Sequence, residues 1–135
     1  MTEFSYQLYS SRDFPPLSDT LAMLKELGYS QVEGYGGVYG DLDALTAGLK
    51  ANGLTMPTGH FGIDMLENDV DGVMKIVKAT GMNTIYCPYL LPDQRPTDGA
   101  GWLAFGKRLQ AASEPYRKAG LGFGWHNHDF EFFKT

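Results

Sequence analysis

The chain has one cysteine in 135 residues, Cys87. A lone cysteine makes no internal disulfide, so a disulfide-held scaffold is excluded and a reducing, cytoplasmic setting is the expectation. Positive charge is also scarce. Eleven Lys and Arg stand against sixteen Asp and Glu, for a formal net charge of −5, and no basic cluster occurs. Nucleic-acid binding draws mainly on phosphate neutralisation, so no nucleic acid is expected as partner. No apolar run approaches the roughly 18 residues that span a membrane, so no membrane partner is expected. The opening MTEFSYQLYSSRD lacks the basic-then-apolar pattern of a signal peptide. No glycine-rich loop follows the first strand-like run, where YSSRDFPP stands, which weakens a nucleotide-binding sheet. What is present is enough apolar residue, 43%, for one domain with a core over 1–135.

Four stretches share one pattern: KELGY at 25–29, KANGL at 50–54, KATGM at 78–82 and RKAGL at 117–121. Each places a basic residue three positions before a glycine, with an apolar residue after it. This is the chemistry of a helix C-terminus. Lys25, Lys50, Lys78 and Arg117 meet the negative end of the dipole, and Gly28, Gly53, Gly81 and Gly120 take the left-handed cap. Apolar stripes at helical spacing lie upstream: Leu17/Leu21/Leu24/Leu27, Leu42/Leu45/Leu49, Val70/Val73/Ile76/Val77 and Trp102/Phe105/Leu109/Ala112. Asp41 reads as an N-cap for the second helix, and Pro115 should bend the last.

Five strand-like runs separate these helices: FSYQLYS, QVEGYGG, LTMPTGHF, NTIYCPYL and GFGWHNHDF. Strands alternating with helices imply parallel pairing through right-handed crossovers. Gln7, Glu33 and His60 fall in or at the ends of these runs. Polar groups at the C-terminal ends of several strands favour a (β/α)8 barrel over an open sheet. About five parallel strands and four helices make half of such a barrel, which takes roughly 250 residues.

FSYQLYSSRDFP, LKELGYSQVEGYGG, PTGHFGID and GFGWHNHDFEF together resemble the xylose isomerase-like sugar phosphate isomerase/epimerase family. The resemblance runs in order over essentially the whole chain. It covers the N-terminal part of the family's barrel, from the first strand to the fifth. It implies a partial (β/α)8 TIM barrel and a divalent metal, Mn or Zn, at the C-terminal mouth. It also implies a small-molecule sugar or sugar phosphate, isomerised or epimerised by moving a proton next to a carbonyl. The family's usual metal set is a carboxylate, Asp, His and Glu from the fifth to eighth strands. The fifth-strand position, commonly Glu, is His126 here, and the other three ligands would lie beyond Thr135. A metal at His126 is thus implied for the complete barrel, with weak or no binding by this chain alone.

The residues carry their own readings. His126 and His128 are two apart, so on a continuing strand they share a side and could face one cavity; ordinary polar residues at a strand end are the alternative. His60, between Gly59 and Gly62, either hydrogen-bonds a sugar hydroxyl or faces solvent at the rim. Glu33 points inward if Val32 points to the helices. It then orients substrate or serves as a structural partner of Gln7. Asp129 could hold an imidazole tautomer or simply cap a loop. Cys87 reads as a small buried hydrophobe, and the loop 90–102 as a lid. No catalytic base is singled out.

Two other functions are weighed. A DNA-repair endonuclease of the same barrel type would need a basic groove. A non-catalytic half-barrel would leave its first and fifth strands as open edges and associate as a homodimer, with Leu8→Asp or Phe123→Asp causing aggregation or dissociation.

Overall fold

A computed structural model describes residues 3–133. Five short strands form one parallel sheet in sequence order: β1 (Ser5–Gln7), β2 (Gln31–Gly34), β3 (Thr55–His60), β4 (Thr84–Cys87) and β5 (Gly122–Trp125). The helices are α1 (Leu17–Glu26), α2 (Leu42–Asn52), α3 (Ile63–Asn68), α4 (Val70–Thr80) and α5 (Gly99–Lys118).

The repeated helix ends are as expected. Gly28, Gly53, Gly81 and Gly120 all have positive φ, from 62° to 87°, where an L side chain would clash with its own carbonyl. Asp41 accepts a hydrogen bond from the Ala44 amide at 2.9 Å and caps α2. Four helices coincide with the apolar stripes. Leu27 departs from its stripe: it lies past α1 at the cap and is 66% exposed. The fifth helix, α3, is only six residues long, too short for a periodic stripe to register. Pro115 does not end α5, which continues to Lys118. The proline sits in the last turn, where few hydrogen bonds depend on it. The next residue, Tyr116, is fully buried and donates its hydroxyl to the Leu66 carbonyl at 2.8 Å.

Strand alternation divides the sheet into two faces. Val32, Met56, Ile85 and Cys87 point outward into a core shared with Leu21, Leu24, Leu45 and Val73 of the helices. The inner face is polar. Across β1, β2 and β3, Gln7 pairs with Glu33 and Glu33 with Thr58; the same layer continues through Thr84 to Gly122. The next layer runs His60, Tyr86, Gly124. The two β5 glycines make room for these side chains. A Cβ on Gly122 would meet Thr84 Oγ1 at 2.7 Å, and one on Gly124 would meet the Tyr86 ring at 2.7 Å.

A register shift between β2 and β3 sets which residues share the inner face. Gln31 pairs with Thr55 but Glu33 with Thr58, so β3 carries one extra residue near Pro57. Without it, Pro57 and Gly59 would face inward in place of Thr58 and His60.

Candidate active site

A cavity of about 530 Å³ opens at the C-terminal ends of the strands, bordered by Gln7, Tyr9, Tyr35, His60, Tyr89, His126 and His128. A second cavity, of about 410 Å³, lies between the segment after β1 and helices α1 and α2. Its walls are mainly apolar, and none of the imidazoles reaches it.

The strands bring Glu33, His60, His126 and His128 together. His60 ends β3 and is 6% exposed; its ring centroid lies 4.8 Å from that of His126. His126 and His128 are 5.1 Å apart in the same sense. The expected continuous strand stops at Trp125, although the His126 amide still donates to the Cys87 carbonyl at 3.0 Å. After that the chain turns into a short 3₁₀ turn, Phe130–Phe132. The two histidines lie in the irregular segment between β5 and this turn.

Glu33 sits beneath His60. Gln7 Nε2 donates to its Oε1 at 3.0 Å, and Thr58 Oγ1 donates to its Oε2 at 2.7 Å. His60 Nε2 lies 2.9 Å from Oε1, but its N–H direction misses the line of an aligned hydrogen bond, and Nε2 has no other partner among the described residues. Burial pushes the Glu33 carboxyl's pKa up, and the close approach of His60 with the hydrogen bonds from Gln7 and Thr58 more than reverses this, leaving it at about 2. The His126 pKa is lowered, first by burial and then by the neighbouring His60 and His128 imidazoles. The shift favours the neutral imidazole, whose lone pair can accept a proton or a metal.

His128 is fixed from several sides. Its amide donates to Glu131 Oε2 at 2.8 Å, and Trp125 Nε1 donates to Glu131 Oε1 at 2.8 Å. Its ring stacks on Phe130 with an interplanar angle of 11°, and Tyr89 meets it edge-on. Asp129, a candidate for holding an imidazole, makes no hydrogen bond to one; the neighbouring Glu131 anchors the loop instead. The turn points Asp129 outward and Glu131 back under His128. Arg95, in the segment after β4, was also not singled out. Its guanidinium lies 3.9 Å from the Phe130 ring centroid, and Nε donates to the Leu90 carbonyl at 3.0 Å. That segment, the expected lid, is tied to the loop bearing His128, and α5 begins within it at Gly99. Cys87 is buried with its thiol pKa pushed up to about 11 by desolvation, an inert small side chain.

His126 offers one metal donor, but among the described residues no group of three or more His, Cys, Asp or Glu side chains is placed to hold a metal ion. A metal at this rim would need donors beyond them.

No protein-family model matches the sequence, and no curated protein does. Solved structures do match. A sugar phosphate isomerase/epimerase from Parabacteroides distasonis superposes with a TM-score of 0.80 at 19% identity, over 98% of this chain and 54% of that one. An AP endonuclease, family 2, from Brucella melitensis matches with a TM-score of 0.72 at 16% identity, over 93% and 55%. A D-psicose 3-epimerase, solved in the presence of D-fructose, matches with a TM-score of 0.63 at 15% identity, over 90% and 51%. Proteins of different activity thus share this architecture. The chain spans about half the length of the solved chains it matches, and it has the fold of about half of a (β/α)8 TIM barrel.

Proposed function

We propose that the chain supplies part of the active site of a sugar isomerase or epimerase, which moves a proton next to a carbonyl in the complete barrel. The observation that carries this reading is the convergence of three imidazoles on a single cavity at the C-terminal rim, with the half-buried Glu33 carboxylate against His60. His60, His128 and Glu33 serve substrate binding, directly or through a neighbour. His126, neutral by environment, faces the reacting end as a proton acceptor or as one metal ligand. Tyr9, Tyr35 and Tyr89 at the cavity rim offer flat faces for the C–H side of a sugar ring.

A divalent ion such as Mn or Zn is implied by the resemblance for the complete barrel. The donors among the described residues do not make a set for it. The reading takes residues 1–135 as a single domain in a cytoplasmic protein acting on a sugar or sugar phosphate, with no nucleic-acid partner. No described helix is long and apolar enough to cross a membrane.

The test uses the full-length gene product with a panel of aldoses, ketoses and their phosphates in D2O. Deuterium should enter at the carbon next to the carbonyl of at least one sugar. His126→Ala should slow that exchange by about 100-fold or more, the usual scale of a lost acid/base group. Absence of exchange across the panel rejects the reading. In that case the alternative of a non-catalytic, self-associating half-barrel gains, and it has its own observation: β1 and β5 each have a single strand neighbour.

A further inference from the structure

The floor of the cavity contains an unresolved pairing. His60 Nε2 is completely enclosed, and its one polar neighbour among the described residues is Glu33 Oε1, at 2.9 Å. A neutral imidazole has one N–H and one lone pair, and which nitrogen holds the proton is set by what each faces. A lone pair on Nε2 would lie 2.9 Å from a carboxylate oxygen, acceptor against acceptor. The carboxylate cannot turn away. Gln7 Nε2 holds one of its oxygens and Thr58 Oγ1 the other, and these three residues are direct register partners on β1, β2 and β3. Only a proton on Nε2 relieves the contact.

We infer that Glu33 is a positioning residue: clamped by Gln7 and Thr58, it keeps the His60 proton on Nε2 and so makes Nδ1 a hydrogen-bond acceptor for a substrate hydroxyl. Nδ1 makes no hydrogen bond among the described residues and, unlike Nε2, is not fully enclosed. His60 borders the cavity, so this acceptor is the one the ring can offer to a ligand there. An acceptor at that point takes an O–H donor and repels a carbonyl or phosphate oxygen. The carbonyl end of a sugar then lies away from His60, toward His126 and His128.

This inference rests on reading the cavity as a sugar site, and its test separates the two. Long-range proton–nitrogen NMR of the full-length, nitrogen-15-labelled protein reports each histidine's tautomer, with His60→Gln identifying the His60 signals. Wild-type protein should show the Nε2–H tautomer, and Glu33→Gln should lose it. An Nδ1–H tautomer in wild type, which needs no variant to fold, overturns the assignment, and so does an unchanged tautomer in Glu33→Gln. Titration with D-fructose should move the His60 Nδ1 signal, and inorganic phosphate should not. Glu33→Gln should weaken the D-fructose effect about 10–100-fold, the usual cost of removing a group that orients a contacting residue. A shift with phosphate alone overturns the acceptor role. The Nε2–H tautomer with no response to D-fructose upholds Glu33 and counts against the sugar reading.

Discussion

Glu33 is half-buried at the sheet's inner face, yet its carboxyl is held at about 2, well below the ordinary 4.5. Desolvation works against this, so the donors around it must supply the difference. Thr58 makes the shortest of these contacts, at 2.7 Å. Thr58→Val should raise the Glu33 pKa toward its ordinary value, read from the carboxyl carbon by NMR, and cost about 1.5–3 kcal/mol of stability, the scale of a hydrogen bond to a charged group. The pH dependence follows from the sign of the shift. A carboxyl with a depressed folded pKa adds stability that is complete above its unfolded value near 4.5 and disappears as pH falls toward 2. Urea midpoints of wild type and Glu33→Gln should therefore differ at pH 7 and converge on acidification through that window. A constant difference down to pH 2.5 would show that Glu33 acts by packing alone.

The helices end where a cation and a glycine coincide, and the physics is local. Gly81 has φ of 77° after α4, with nothing within 4 Å of where a Cβ would stand. The left-handed backbone itself is then the whole penalty for a side chain. Gly81→Ala should cost about 1–2 kcal/mol with no change in the site, measured by chemical denaturation. The strand ends do not yield to local reasoning in this way. The extra residue in β3 near Pro57 arises from pairing with β2, and it puts Thr58 and His60, rather than Pro57 and Gly59, on the inner face. The α3 helix was missed for a related reason. Its six residues bury Ile63 and Leu66 against neighbours distant in sequence, and Tyr116 of α5 caps the Leu66 carbonyl.

The sheet as a whole has two open edges among the described residues, β1 and β5. Unpaired backbone groups on such edges favour association. The positions expected to give aggregation or dissociation on change to aspartate, Leu8 and Phe123, are packed within the chain. Leu8 is 1% exposed in the core, and Phe123 stacks on Tyr116 with ring centroids 6.1 Å apart. An aspartate at either position would unfold the chain rather than dissociate it. Phe4 and Phe132, 70% and 75% exposed, flank the two edges and are the better probes. A chain of residues 1–135 should scatter light as about twice its 14.9 kDa mass, and Phe132→Glu should move it toward the single-chain value. A monomer at high micromolar concentration would reject the dimer. The same material, dialysed against a mild chelator, should keep less than one equivalent of zinc or manganese, because the described residues provide no three-donor set. A full equivalent retained would show that the donor set closes after all.

Several features of this protein were determined by the sequence alone: the alternation of helices and strands, the four glycine caps, the inward turn of Glu33 opposite Val32, and the presence of histidines at strand ends. These follow from 3.6- and 2-residue periodicity and from which residues tolerate positive φ, all of it local along the chain. The half-barrel architecture was also legible, because parallel strands need helical crossovers. Other features were decided by tertiary structure. His126 and His128 lie beyond the end of β5, and Glu131 anchors the segment that carries them. Thr58 and Arg95 carried no signal beforehand, because their partners Glu33 and Phe130 are 25 and 35 positions away in sequence. The Glu33–His60 contact joins two strands 27 residues apart, and it depends on the β3 bulge. Spacing within one strand shows which way a side chain points, but which polar group it meets there is set by register between strands, and register is a property of the folded sheet.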